Sequence, residues 1–177
     1  MVRILGIDPG SHRTGWGIID AQGTRFRYVC SGTITAKGNG LAQRLVVIAN
    51  DLDQIIVQHQ PDLGAIESVF HAKNSQSALK LGHARGVALL SMGRAGLEIG
   101  EYSPTQIKQA LTGAGRAEKE QVAQMVQLLL GHPGPFGLDE SDGLAIAMCH
   151  GQFYGSSARR FLDSKTQGEG PTKRGMG

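Results

Sequence analysis

The sequence predicts a mixed α/β domain, in which three antiparallel strands open a sheet that strand–helix alternation then extends and helices cover. Three observations lead there. Residues 1–35 alternate strand-like apolar runs with the turn-rich segments DPGSHRT and AQG. Leu41, Leu45, Ile48, Leu52 and Ile55 recur at steps of four and three, the spacing of one helix face. Beyond them, short apolar runs at 63–67 and 98–102 alternate with longer helical stretches.

Taken in order, residues 3–8, 15–20 and 25–35 read as strands, and their short separations argue for a hairpin meander. The first helix ends before Gln60-Pro61, because proline cannot continue it. Residues 63–67 form a short buried strand. A helix follows from about 74 to 94, with Ala78, Gly82 and Gly86 at four-residue steps. Glycine costs a helix about 1 kcal/mol per site, so this stripe implies close approach, either to the sheet or to a second subunit. Residues 98–102 are a fifth strand. Ser103-Pro104 then supplies an N-cap with proline at the first helical position, opening a helix to about Leu111. A further helix spans 118–130, the GHPGPFG connector interrupts the chain, and a last helix runs from Asp139 to about Phe153. The predicted order is βββαβαβααα.

At 177 residues the chain fits one domain, able to bury roughly 70% of its unfolded surface without staples. Residues 1–154 are read as that domain. Residues 155–177, mostly Gly, Ser, Lys, Arg and Thr, are read as a basic, disordered tail. Cys30 and Cys149 form no CxxC pair, so both are expected to be reduced thiols rather than a disulfide or a zinc site. No basic N-terminal stretch leads into an apolar segment and no run of 18 apolar residues occurs, so a cytoplasmic protein with no membrane contact is expected.

Charge narrows the partner. Residues 1–154 hold thirteen Lys/Arg and thirteen Asp/Glu, so the net +3 lies in the tail. Within the domain, residues 71–119 carry seven basic side chains against three acids, a distribution that suits a polyanion held beside an acidic cluster. An ordinary solvated surface would also explain it.

Four acids compete for that role. Asp8 and Glu67 end predicted strands, while Asp139 and Asp142 begin the last helix at i and i+3, on nearly one face. Singly, each has a plainer explanation: Asp-Pro-Gly is turn chemistry, and Asp139 is a plausible N-cap. Jointly, the first strand and the strand after the first helix can be neighbours in a mixed sheet, which would point Asp8 and Glu67 at one spot. Converging carboxylates repel unless cations neutralise them, and hard oxygen ligands select Mg²⁺ or Mn²⁺. Two such ions would stabilise the attacking and leaving oxygens of a phosphoryl transfer.

LGIDPGSHRTGWG with Asp8, AIESVFHAKN with Glu67, SALKLGHARGVA, AEKEQV, and DESDGLAIA with Asp139 and Asp142 occur in that order. Together they resemble the RuvC family of Holliday junction resolvases, whose fold is ribonuclease H-like. The resemblance implies that Asp8, Glu67, Asp139 and Asp142 are catalytic carboxylates binding two Mg²⁺ per subunit, with Mn²⁺ able to substitute. It implies that Phe70 is an aromatic wedge stacking on a base, and that Lys108 and Lys119 lie by the scissile DNA backbone. It further implies a homodimer that nicks a four-way junction symmetrically, leaving 5′-phosphate and 3′-hydroxyl ends, and that works with the RuvA and RuvB branch-migration proteins in recombination and repair. Gly143 stands where the family usually has alanine, which should slightly weaken the helix.

Other functions fit less of the chain. RNA-processing nucleases of the YqgF type share GIDPG but lack the AKN…SALKLG helix. Nucleotide-binding proteins of the actin and sugar-kinase type need two such domains. A non-catalytic junction-binding module would not need the four acids.

Overall fold

The computed structural model describes residues 1–68 and 75–167, with backbone alone for residue 75 and residues 156–167. Five strands and five helices follow the predicted order: β1 (Val2–Asp8), β2 (Arg13–Gln22), β3 (Arg25–Thr35), α1 (Leu41–His59), β4 (Leu63–Glu67), α2 (Ser75–Arg94), β5 (Glu98–Tyr102), α3 (Pro104–Thr112), α4 (Lys119–Leu130) and α5 (Leu138–Gln167). They build one five-stranded sheet in the order β3-β2-β1-β4-β5. β1, β2 and β3 pair antiparallel as the expected meander, while β4 and β5 are parallel to β1.

Alternation along the strands splits the core between two faces. Ile4, Ile19 and Ala65 point to α3, α4 and α5, packing on Leu144, Ile146 and Met148. Their neighbours Leu5, Ile18 and Ile66 point the other way, to Ile48 and Leu52 of α1 and Ala84 and Met92 of α2. Every strand in the middle of the sheet is therefore buried on both sides.

Local signals explain the ends of the elements. Ser103 Oγ accepts from the Gln106 N–H while the Gln106 side chain accepts from the Ser103 N–H, a reciprocal cap that opens α3. Gly113 and Gly131 end α3 and α4 in the left-handed conformation. Gln60 ends α1 in that same conformation just before Pro61.

One expectation changes, one pair of alternatives narrows, and one residue gains a role. α5 was expected to stop near Phe153 but runs to Gln167, so residues 155–167 have helical backbone where the tail was expected to be disordered. Between 156 and 167 the sequence holds no Pro or Gly and several good helix formers, so propensity permits the continuation. Residues 168–177 lie outside the described residues. The Gly82 and Gly86 stripe does not meet the sheet, because a Cβ at either would have nothing within 4 Å. Gly143, whatever it costs the helix, is also a point of close contact. A Cβ there would sit 2.5 Å from the Trp16 carbonyl carbon of β2, so alanine would require α5 to stand farther from the sheet.

Candidate active site

The register of the sheet brings the first two acids together. β1 and β4 pair in parallel with Ile7 opposite Ile66, so the next residues, Asp8 and Glu67, end adjacent strands side by side. Both strands are interior, which fixes their carboxylates on rigid backbone. α5 is pressed against this end of the sheet with no side chain between: Cβ atoms at Gly6 and Gly15 would lie 2.2 Å from the Gly143 carbonyl oxygen and 2.0 Å from the Asp139 carbonyl oxygen. Glycine in the sheet thus sets how close Asp139 and Asp142 come to the strand acids.

Asp8, Glu67 and Asp142 line one cavity of about 270 Å³, together with Lys108 of α3, Lys119 of α4 and apolar walls that include Ile107, Val122 and Ile146. Lys119 Nζ lies 2.6 Å from Asp142 Oδ2. The electrostatics show a site with more negative charge than it can carry. Burial, then repulsion from Glu67 and Asp142, pushes the Asp8 carboxyl up to about 7. Glu67 is also raised, chiefly by burial, and is held down in part by a hydrogen bond that only protonated Asp8 can donate. Asp142 is raised by burial despite its partner Lys119, whose own pKa is raised first of all by that hydrogen bond. The two directions agree once burial is recognised as the larger effect on the acid. Asp20 makes the contrast: on strand β2 it is gripped by Arg3 at 2.8 Å and Arg27 at 2.5 Å, and its pKa falls.

Asp139 is placed differently. Its carboxylate does not line the cavity; Oδ2 accepts from Arg13 Nε at 2.6 Å and from Thr33 Oγ1 at 3.5 Å. Nor does Asp139 cap α5, because the helix begins one residue earlier and it is Glu140 that takes the Gly137 N–H, at 2.8 Å. Among the described residues, no three acid, thiol or imidazole groups are gathered closely enough to hold one ion as they stand. The donor set nonetheless fits a divalent cation. Three hard carboxyls share one cavity, and their excess charge is offset by a proton on the strand pair and by Lys119. A cation replacing these would relieve the same repulsion.

Of the other predicted site residues, Lys108 and Lys119 are brought to the acids, while Phe70 lies outside the described residues. Arg85 had been counted only as part of the basic region. Its Nε donates to the Glu67 carbonyl at 3.0 Å and its guanidinium pairs with Glu101, so it braces the strand end from behind. Arg13 and Thr33 were not anticipated; Arg13 lies within the DPGSHRTGWG segment, but nothing in a single sequence ties it to Asp139. Both cysteines are free, Cys149 buried and Cys30 half-buried.

Residues 4–150 match the family model described as crossover junction endodeoxyribonuclease RuvC. The RuvC of Ruegeria pomeroyi is 47% identical over 156 residues, 88% of this chain and 94% of that protein. That of Sorangium cellulosum is 50% identical over 150 residues, 84% of each. Among solved structures, RuvC of T. thermophilus in complex with a Holliday junction substrate superposes with a TM-score of 0.84 at 30% identity, covering 89% of this chain and 97% of the other. The yeast mitochondrial Holliday junction resolvase Ydc2 shares the fold, with a TM-score of 0.60 at 12% identity over 91% of this chain and 85% of the other.

Proposed function

The chain belongs to the RuvC family of crossover junction endodeoxyribonucleases, and on that premise we propose that Asp8, Glu67, Asp139 and Asp142 are the residues with which it resolves four-way DNA junctions. It is a metal-dependent nuclease that hydrolyses phosphodiester bonds in Holliday junctions during recombination and repair. The observation that carries the residue assignment is the single cavity shared by Asp8, Glu67 and Asp142, where burial and then repulsion from the other two acids raise Asp8 to about 7.

When bound, two divalent cations per subunit, Mg²⁺ or its substitute Mn²⁺, supply an acidified water and charge neutralisation at the leaving oxygen. The protein's part is to hold and orient. Asp8 and Glu67 give up the proton they share, and their strands keep both carboxylates fixed. Lys108 and Lys119 face the same cavity and neutralise the phosphodiester that enters it. Phe70, three residues after Glu67, supplies the aromatic stack on a base beside the cut.

Residues 1–154 form the nuclease domain. The apolar groove lined by Leu45, Leu79, Gly82, Gly86 and Leu90, with Leu79 and Leu90 well exposed, supports a homodimer in which a second copy covers it. Two chains then place two sites on a symmetric junction. The expected partners are RuvA and RuvB, and the expected compartment is the cytoplasm; among the described residues no helix is long and apolar enough to cross a membrane.

The test is cleavage of a synthetic four-way junction. The purified protein should give paired symmetric nicks with Mg²⁺ and none in EDTA, and Asp8→Asn and Glu67→Gln should each lose at least about 100-fold in rate. Full cleavage by Asp8→Asn would refute the assignment.

A further inference from the structure

Of the four acids, Asp139 alone stands outside the cavity, and its carboxylate is already engaged by a cation of the chain itself, Arg13. We propose that Arg13 is a positioning residue that competes with a divalent cation for Asp139 and so sets how much metal the protein needs. The inference rests on the reading of Asp139 as a metal ligand.

Three features argue for exchange rather than a permanent brace. First, the pair is accessible: the side chains of Arg13 and Asp139 are 63% and 26% exposed, so the bond is worth little and can be given up. Second, the backbone beneath it is closely packed. Arg13 begins β2, and two residues later Gly15 lies so near the Asp139 carbonyl that a Cβ would be 2.0 Å away. A rotation of the Asp139 side chain, with the backbone left in place, would carry its carboxylate from Arg13 toward Asp142 one turn along the same helix. Third, Asp139 stands one helical turn before Asp142, whose side chain does line the cavity. Lys119 also pairs with an acid, but it lines the cavity and stays there when released. Arg13 does not line the cavity and offers the acid only an alternative partner.

The experiment is a Mn²⁺ titration of the full chain without DNA, with free Mn²⁺ counted by electron paramagnetic resonance, for the parent, Arg13→Gln, Arg13→Lys and Asp139→Asn. Arg13→Gln should bind Mn²⁺ about 2- to 5-fold more tightly, the range expected for losing one exposed competing pair. Arg13→Lys, which keeps a cation there, should lie closer to the parent, and the gap between Arg13→Gln and the parent should shrink in 1 M salt. Melting curves in EDTA confirm that each variant is folded. If Asp139→Asn weakens binding while Arg13→Gln leaves it unchanged or weaker, the competition is overturned and Asp139 remains a ligand. If Asp139→Asn binds Mn²⁺ as the parent does, the ligand assignment fails and the inference with it.

Discussion

Asp8→Asn should stabilise the metal-free protein while abolishing cleavage. Asp8 rises from an ordinary 3.8 to about 7 because burial and then Glu67 and Asp142 oppose its charge. A carboxyl whose folded pKa is raised contributes stability that is complete below its unfolded value and is lost as pH climbs through the folded one. At about 1.4 kcal/mol per pKa unit, the loss accumulates to roughly 4 kcal/mol above pH 7, of which up to about 3 kcal/mol falls between pH 5 and pH 8. Asparagine keeps the shape and a donor toward Glu67 but has no charge to bury. With 1 kcal/mol worth about 2–4 °C at this chain length, the variant should melt several degrees above the parent at pH 8 in EDTA, with a smaller gap at pH 5. Thermal melts by circular dichroism measure both. Saturating Mg²⁺ or Mn²⁺ should raise the parent's melting temperature and close the gap, since the metal supplies the missing positive charge. A gap that is constant with pH, or an Asp8→Asn variant less stable than the parent at pH 8, would refute the view that uncompensated acid charge strains the site.

Gly15→Ala places a methyl group 2.0 Å from the Asp139 carbonyl oxygen and must push the start of α5 away; we expect a loss of about 1–3 kcal/mol and at least a tenfold slower nicking rate, read by melting and junction cleavage together. Tyr102→Phe removes the hydroxyl 2.7 Å from His150 Nδ1. Because His150 Nε2 has no partner among the described residues, the ring would lose its hydrogen bond to Tyr102 with none on its other nitrogen there to replace it, costing about 1–3 kcal/mol in urea unfolding. Ser103→Ala removes the reciprocal cap of α3 and should cost about 1 kcal/mol, with little change in junction affinity measured by gel shift.

Much of the fold was legible because its signals are local. Pro61 and Gln60 end α1, the Ser103-Pro104 cap opens α3, and the apolar runs of β1, β4 and β5 each finish at a turn or an acid. The adjacency of Asp8 and Glu67 was also reachable, because a parallel neighbour is the simplest place for a strand that follows a crossover helix. Less legible were features that need a partner distant in sequence. The contact of Gly143 with Trp16 is not visible along the chain, nor is the choice between the two surfaces open to the Gly82 and Gly86 stripe, which lines a groove and not the sheet contact. The length of α5 was misjudged because a polar, basic composition reads as disorder although its residues are compatible with a helix.

The four acids themselves are a property of the sequence: their types, their strand-end and helix-start positions, and the family they resemble can all be read along the chain. What they do to one another is not. That burial beside Glu67 and Asp142 raises Asp8, that Lys119 sits on Asp142, and that Arg13 pairs with Asp139 depend on contacts between residues up to 126 positions apart. Ionisation and ion pairing vary with distance and burial, and only the folded sheet, with α5 lying on its glycines, sets those two quantities.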